Sequence, residues 1–381
     1  MAKRKVNIGI ITHNYPPNHK ERKDAGIFLY DFAHELSKKA RVFVLCPGMG
    51  DNNESDSQVQ VTWFNCGGKK GEKMGDWSFF SPMSMIKFFK VLFFGSKATS
   101  QFVKENRLNY LLCAWVIPSG FFGWYANFRY KTPYAVWALG SDINKYARVP
   151  LLNLLVKSIL TKSKTTFANS FALISKTRQI VKREVVFLPA ITEFMDQKRK
   201  LTGRKKSKKF RFLFVGRLEK IKGPDILLEA VKFLREKTDS FEVHFLGDGN
   251  MKKGLEAYVE ENELTGAVTF WGWADERKVF DFMTKSDALV VSSRSESLPL
   301  VMLEAAKVAL PVIVTDVGDC RRMVQEYNIG CWVNKENPKA LASKMYQMMK
   351  TDKRDKKQYG FKRLVRDFSQ KQAVVTLLKW I

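Results

Sequence analysis

The chain has 381 residues, 45% of them apolar and 27% charged, a globular mixture that excludes disordered, collagen-like and low-complexity classes and suggests two domains or one large one. Lys plus Arg outnumber Asp plus Glu by 65 to 38, a formal net charge of +27, which points to a polyanionic partner: nucleic acid, an anionic membrane face or phosphorylated substrates. The charge is regional, with 31 basic and 14 acidic side chains in residues 1–200 against 13 and 14 in residues 251–350.

In chain order, Val6–Ile11 is an apolar run shorter than the ~7–15-residue core of a signal peptide; it ends at Thr12-His13-Asn14 and reads as a first buried strand. A helix near Phe28–Leu36 and strands at Val42–Cys46 and Val59–Phe64 follow. Met83–Lys97 has helical spacing, and strands are predicted at Tyr110–Trp115, Tyr134–Leu139 and Thr166–Asn169. Lys198-Arg199-Lys200 and Arg204 to Lys209 have no periodicity, so residues 196–209 read as a basic linker between a domain over 1–195 and one over 210–355. The second half alternates regularly. Strands at Phe210–Val215, Glu242–Leu246, Val268–Trp271, Ala288–Val291, Pro311–Thr315 and Cys331–Val333 are separated by helices at Pro224–Leu234, Met251–Val259, near Lys278–Met283, from about Pro299 and near Arg321–Tyr327. That alternation predicts α/β architecture, a parallel sheet covered on both faces, with ligands at the carboxyl ends of its strands.

No run reaches the roughly 18 apolar residues that span a bilayer. Five cysteines without a C-x-x-C pair and four scattered histidines suggest neither a disulfide framework nor a metal site, and a reducing cytoplasm is the expected compartment.

Three segments carry candidate chemistry. In Glu296-Ser297-Leu298-Pro299-Leu300-Val301-Met302-Leu303-Glu304, Pro299 suits the first turn of a helix, whose free N–H groups and dipole favour a diphosphate. Glu296 then precedes the helix and Glu304 lies inside it, about 12 Å apart along eight helical residues, the reach from hexose to ribose in a nucleotide sugar. The alternative is a surface helix with an exposed Glu in its second turn. Gly216-Arg217-Leu218-Glu219-Lys220-Ile221-Lys222-Gly223 lies where a strand feeds a helix, with Arg217 able to fork onto phosphate oxygens and Lys222 adding a point charge. Gly247-Asp248-Gly249 is a turn after a strand, and in Phe270-Trp271-Gly272-Trp273 a tryptophan such as Trp273 either flanks a base or packs.

Taken in order, Gly-Arg-Leu-x-x-x-Lys-Gly, Gly-Asp-Gly, the aromatic-Gly turn and Glu-x7-Glu over residues 216–304 resemble the retaining GT-B glycosyltransferases of family 4. In the first half, Tyr15-Pro16-Pro17 with Ala25-Gly26 is similar to that family's glycine loop, and Trp115-x-x-Pro118-x-Gly120 to its Trp-x-x-Pro-x-Gly segment. Gly140-Ser141-Asp142 is similar to its His-Gly-Ser-Asp loop, and Ala168-Asn169-Ser170 with Thr177 to the stretch before the linker. Two departures stand out: Leu139 replaces the histidine before Gly-Ser-Asp, and Ala25 replaces the second loop glycine.

The resemblance implies two doubly wound Rossmann-like domains facing across a cleft, with a terminal helix at Lys371–Ile381, within the stretch of about 360–381, packing back on the first domain through Val374, Val375, Leu377, Leu378 and Trp380. It implies sugar transfer from a UDP- or GDP-linked donor with retention, no cofactor and no metal, and the absence of an Asp-x-Asp agrees with the last. Arg217, Lys222 and Glu296 are then the catalytic candidates. Gly26, Gly216, Gly247, Trp273, Ser297, Leu298, Pro299, Leu300 and Glu304 join them in binding the donor. Glu296 is expected to hold sugar hydroxyls and Glu304 the ribose, while Trp115, Gly140, Ser141 and Asp142 shape the acceptor and sugar pocket.

The first half adds a feature of its own. Residues 77–141 contain one acid, Glu105, against seven bases, and fifteen aromatics fall between Phe79 and Tyr130. In the helix over Met83–Lys97, Lys87, Lys90 and Lys97 share a narrow stripe, with Met85, Ile86, Phe89, Leu92 and Phe93 elsewhere around the helix. Such a helix suits an anionic membrane interface, each near-surface lysine contributing about 1 kcal/mol. The expectation is a peripheral enzyme on the cytoplasmic membrane face with a lipid-linked or glycan acceptor and no nucleic acid, since no recognised nucleic-acid module appears. The alternative is that these aromatics are core and the lysines its rim. A nucleotide-sugar epimerase of the same architecture and an inactive membrane- or polyanion-binding relative are the rival functions.

Overall fold

A computed structural model describes residues 5–16, 26–48, 58–65, 82–144, 150–191, 209–350 and 360–381. The chain forms two compact units, Met1–Glu193 with Ser369–Ile381, and Phe194–Phe368. The basic segment up to Lys208, and with it the expected boundary near 195, lies outside the described residues, as do Pro17 and Ala25.

Unit 1 runs β1 (Asn7–Ile11), α1 (Ile27–Ser37), β2 (Arg41–Pro47), β3 (Val59–Phe64), α2 (Pro82–Glu105), β4 (Tyr110–Ala114), a tight turn over Val116–Gly120, α3 (Phe121–Tyr130), β5 (Tyr134–Ala138), α4 (Ser141–Asn144), α5 (Pro150–Lys162), β6 (Thr165–Ala168), α6 (Phe171–Val181) and β7 (Val186–Phe187). Its strands form one sheet in the order β3-β2-β1-β4-β5-β6-β7. All neighbours are parallel: Ile10 lies beside Val44 of β2 and Leu112 of β4. Every residue of β4 and β5 is buried, which is why these strands are continuous apolar runs rather than alternating ones.

Unit 2 runs β8 (Phe210–Val215), a 3₁₀ turn at Lys220–Lys222, α7 (Pro224–Arg235), β9 (Phe241–Leu246), α8 (Lys252–Glu261), β10 (Val268–Phe270), α9 (Glu276–Lys285), β11 (Ala288–Val291), α10 (Leu300–Lys307), β12 (Val312–Thr315), α11 (Cys320–Tyr327), β13 (Gly330–Val333), α12 (Pro338–Lys350) and α13 (Phe361–Asp367). Its sheet order is β10-β9-β8-β11-β12-β13, again all parallel. Local chemistry sets the helix starts. Pro224 occupies the first turn of α7, and the Asp275 carboxylate accepts from Lys278 N–H at 2.8 Å before α9.

The chain then returns to unit 1 as α14 (Gln370–Trp380), which packs on α1 and buries Ala373, Val374 and Leu377 in the core with Ile8 and Phe32. α14 is the terminal helix expected at Lys371–Ile381, and α13 is a separate helix in the first part of the 360–381 stretch. α13 stays in unit 2, and Ser369 breaks the run by capping α14 through Gln372 N–H at 3.1 Å. Val375 faces solvent at 52% exposure rather than joining the packed face. In each sheet the strand order reverses once, between β1 and β4 and between β8 and β11, which marks the carboxyl ends of those pairs as the natural ligand sites.

Candidate functional site

The reversal point of unit 2 brings two loops together, one leaving β8 and one leaving β11. Lys222 ends the 3₁₀ turn of the first and donates from Nζ to Glu296 Oε1 of the second at 2.6 Å. Ser293 Oγ donates to the same oxygen at 2.8 Å. These residues line a cavity of about 300 Å³ with Phe214, Val215, Leu298, Pro299, Leu300 and Val301. Pro299 is not inside the helix, as its place in the sequence suggested. It is the extended residue (φ −71°, ψ 111°) immediately before Leu300, and the helical N–H groups begin at Leu300 and Val301. Ser297 is fixed by its carbonyl, which accepts from Asp319 N–H at 3.1 Å.

The two loops are stitched by the closing glycine of the Gly216–Gly223 motif and by three groups that no motif singled out, Ser292, Arg294 and Asp225. Gly223 adopts φ +63°, and a Cβ there would lie 2.1 Å from the Ser292 carbonyl oxygen, so only glycine allows the approach. Ser292 Oγ closes the contact by donating to Gly223 O at 2.7 Å. The Arg294 guanidinium forks onto both oxygens of Asp225 at 2.8 Å, donates to Lys220 O at 2.7 Å and reaches Glu336 at 3.2 Å. Burial raises the Asp225 carboxyl, but the Arg294 hydrogen bonds and charge override it and leave the group below its ordinary range. Arg294 and Asp225 are 69 residues apart, so no local spacing links them.

The remaining donor candidates of unit 2 do not line this cavity. Arg217 is 68% exposed and bonded to Glu219 at 2.8 Å. Gly247 packs its backbone on that loop: a Cβ at its φ of +147° would lie 1.9 Å from the Gly216 carbonyl oxygen. Trp273 is 65% exposed, whereas Trp271 donates from its indole to His244 Nδ1 at 3.0 Å and packs on Phe282. Glu304 is partly buried on α10. Burial pushes its carboxyl up to about 7, with Lys307 opposing and Glu276 adding to the rise.

In unit 1, Gly26 opens α1 against the Asn14 carbonyl. Trp115 leaves β4 in a left-handed conformation (φ 71°), its ring 4.3 Å from that of His13. Asp142 is fully buried, and its carboxylate accepts from the N–H groups of Val116, Gly140 and Ile143 at 2.9–3.0 Å. Those bonds tie the Trp115 turn to the Gly140 loop, so the carboxylate works on backbone. The Ser141 side chain lies outside the described residues.

On α2, Ile86, Phe89, Phe93 and Phe94 are 52%, 62%, 70% and 42% exposed, beside exposed Lys90 and Lys97. The buried face is Phe88, Val91, Thr99 and Phe102. Phe89 and Phe93 are therefore not core, and they share the outward face with two of the lysines, while Lys87 is partly buried. Phe128 of α3 is 72% exposed and stacked on Trp124. Among the described residues no helix is long and apolar enough to cross a membrane, and no group of three or more His, Cys, Asp or Glu could hold a metal ion.

Residues 196–363 match the family model of glycosyl transferases group 1. A D-inositol 3-phosphate glycosyltransferase of Corynebacterium urealyticum is 32% identical over 146 residues, 36% of this chain and 34% of its own length. The chain spans a little over a third of the length of the first curated relatives it matches. Among solved structures, sucrose-phosphate synthase from Thermosynechococcus elongatus has a TM-score of 0.68 at 16% identity, with 98% of both chains covered. Anabaena HepE in complex with UDP and glucose has a TM-score of 0.60 at 15% identity, covering 98% of this chain and 97% of that one. That likeness is one of fold, the GT-B fold of two Rossmann-like domains.

Proposed function

We propose, from the match of residues 196–363 to the family model of glycosyl transferases group 1, that the chain moves a sugar from a nucleotide-diphosphate sugar to an acceptor hydroxyl. The transfer retains the anomeric configuration, needs no metal, and uses a lipid-linked or membrane-associated acceptor. The observation that carries the donor half is the Lys222–Glu296 pair at the reversal point of the unit 2 sheet, with the first turn of α10 beside it. A cation and helical N–H groups suit a diphosphate; a carboxylate suits sugar hydroxyls. HepE, solved with UDP and glucose, supports the same pairing of ligands.

In this reading Lys222, the α10 N–H groups and the exposed Arg217 side chain meet the negative charge that grows on the leaving diphosphate, the electrostatic part of catalysis. Glu296 orients the sugar, and Glu304 takes the ribose hydroxyls. The bond from the anomeric carbon to the phosphate oxygen breaks as the bond to the acceptor oxygen forms on the same face. The acceptor proton passes to the departing phosphate oxygen, so no separate general base is required. The exposed phenylalanine and lysine face of α2 supports reversible docking on an anionic bilayer, and with it a peripheral location on the cytoplasmic membrane face.

The test incubates the purified chain in EDTA with UDP- and GDP-sugars, with and without membrane extract. The expected result is nucleotide release that depends on the extract. An epimerised donor without release identifies an epimerase instead, and no turnover with any donor identifies a binding protein.

A further inference from the structure

Lys222 and Glu296 have so far been given separate partners, the diphosphate and the sugar, yet they are bonded to each other at 2.6 Å. Their side chains are 29% and 11% exposed, and the surrounding wall is largely apolar, from Phe214, Val215, Val290 and Leu298. Ser293 Oγ is a second donor to Glu296 Oε1, but a neutral one. Arg217, 68% exposed on its contact with Glu219, exchanges that carboxylate for water or phosphate at little cost. The Lys222–Glu296 pair is different. An anion that draws Lys222 away leaves a nearly buried carboxylate without its counter-charge, and an uncompensated charge in such a place is expensive.

We infer that the Lys222–Glu296 pair couples the two halves of the donor, so that the site favours a complete nucleotide sugar over the nucleoside diphosphate that transfer leaves behind. The inference rests on the donor reading above and deepens it. A nucleotide sugar takes Lys222 with its phosphates and offers hydroxyl donors to the carboxylate it displaces. A nucleoside diphosphate takes Lys222 and offers Glu296 nothing. Once the sugar has moved to the acceptor, Glu296 competes for Lys222 again and helps to eject the product. Glu296 is then a specificity-determining residue that discriminates against product as well as a hydroxyl acceptor.

Isothermal titration calorimetry of the full chain with UDP, GDP, UDP-glucose and GDP-mannose tests this with the wild type, Glu296→Gln and Ser293→Ala. Glu296→Gln keeps the size and the hydrogen-bonding capacity while removing the charge. It is expected to bind the nucleoside diphosphate about fivefold more tightly than the wild type and to lose the preference for the sugar-linked form. Ser293→Ala leaves the ion pair and is expected to stay within about twofold of the wild type. Glu296→Ser serves if the Gln variant fails to fold, with the same direction expected. A wild type that binds none of the four nucleotides overturns the donor reading itself. A wild type that binds a nucleoside diphosphate as tightly as Glu296→Gln does, or a Ser293→Ala variant that matches Glu296→Gln, overturns the coupling alone.

Discussion

Glu304 shows how a single side chain reports on its ligand. Its ordinary pKa is 4.5, and burial carries it to about 7 in the folded protein. Between those values the folded state holds a proton that the unfolded chain has released, so the contribution of Glu304 to stability falls as the pH rises from about 4.5 to about 7. Glu304→Gln is therefore expected to raise the melting temperature at pH 8 and to change it little at pH 4. Ribose hydroxyls donate to the ionised form, so nucleotide affinity should fall about tenfold per pH unit below 7, and Glu304→Gln should remove that dependence. A wild-type affinity parallel to that of the variant from pH 5.5 to 8 contradicts the ribose assignment. The carboxylate itself was legible from its eight-residue spacing to Glu296. Its shifted titration was not, because the leading cause is burial, which depends on what covers that face of α10, and Glu276 adds to it from α9; only Lys307, three residues on in the same helix, was a local neighbour.

At the scale of elements, the strands were legible because a parallel sheet buried on both faces writes itself as unbroken apolar runs. Ala288–Val291 matches its predicted span. What escaped was the stitching between loops. Lys222 and Glu296 each carried a sequence signal, but Arg294 and Asp225, which hold their loops in register, had none. Arg294→Gln leaves the Asp225 carboxylate without its fork, at a cost of about 1–3 kcal/mol. It is expected to raise the KM for the donor more than it lowers kcat, with Arg294→Lys restoring part of the loss; a fall in kcat at unchanged KM points to general unfolding instead. On α2 the alternatives of aromatic core and exposed aromatics were open in the sequence, since helical spacing alone does not say which face is covered. Sedimentation with vesicles containing phosphatidylserine is the check for docking. Phe89→Ser with Phe93→Ser, and separately Lys90→Glu with Lys97→Glu, should each reduce recovery several-fold, the second pair losing its effect in high salt. Equal recovery of the wild type on neutral and anionic vesicles rejects electrostatic docking.

For the whole molecule, the regular second half was easier to read than the first. Unit 1 departs from simple alternation through the long α2, legible over Met83–Lys97 from its helical spacing, through the Trp115 turn, known only as a motif, and through the two-residue β7, which is too short to carry a strand pattern. The return of the chain at Ser369 was seen only as a resemblance, because the apolar face of α14 has meaning only beside α1. Ala373, Val374 and Leu377 fill the core around Ile8 and Phe32, and each large apolar side chain buried there contributes about 1.5–3 kcal/mol. Removing residues 369–381 is expected to unfold unit 1 while a melting transition for unit 2 survives, as followed by differential scanning calorimetry. A single unchanged transition rules that out.

The same return has a temporal side. A ribosome finishes all of unit 2 before it makes the helix that closes unit 1. The groove on α1 that receives α14 therefore stays uncovered throughout that stretch of synthesis. It is a natural stopping place for a holding chaperone, and the point at which a stalled or truncated translation product is most exposed to aggregation.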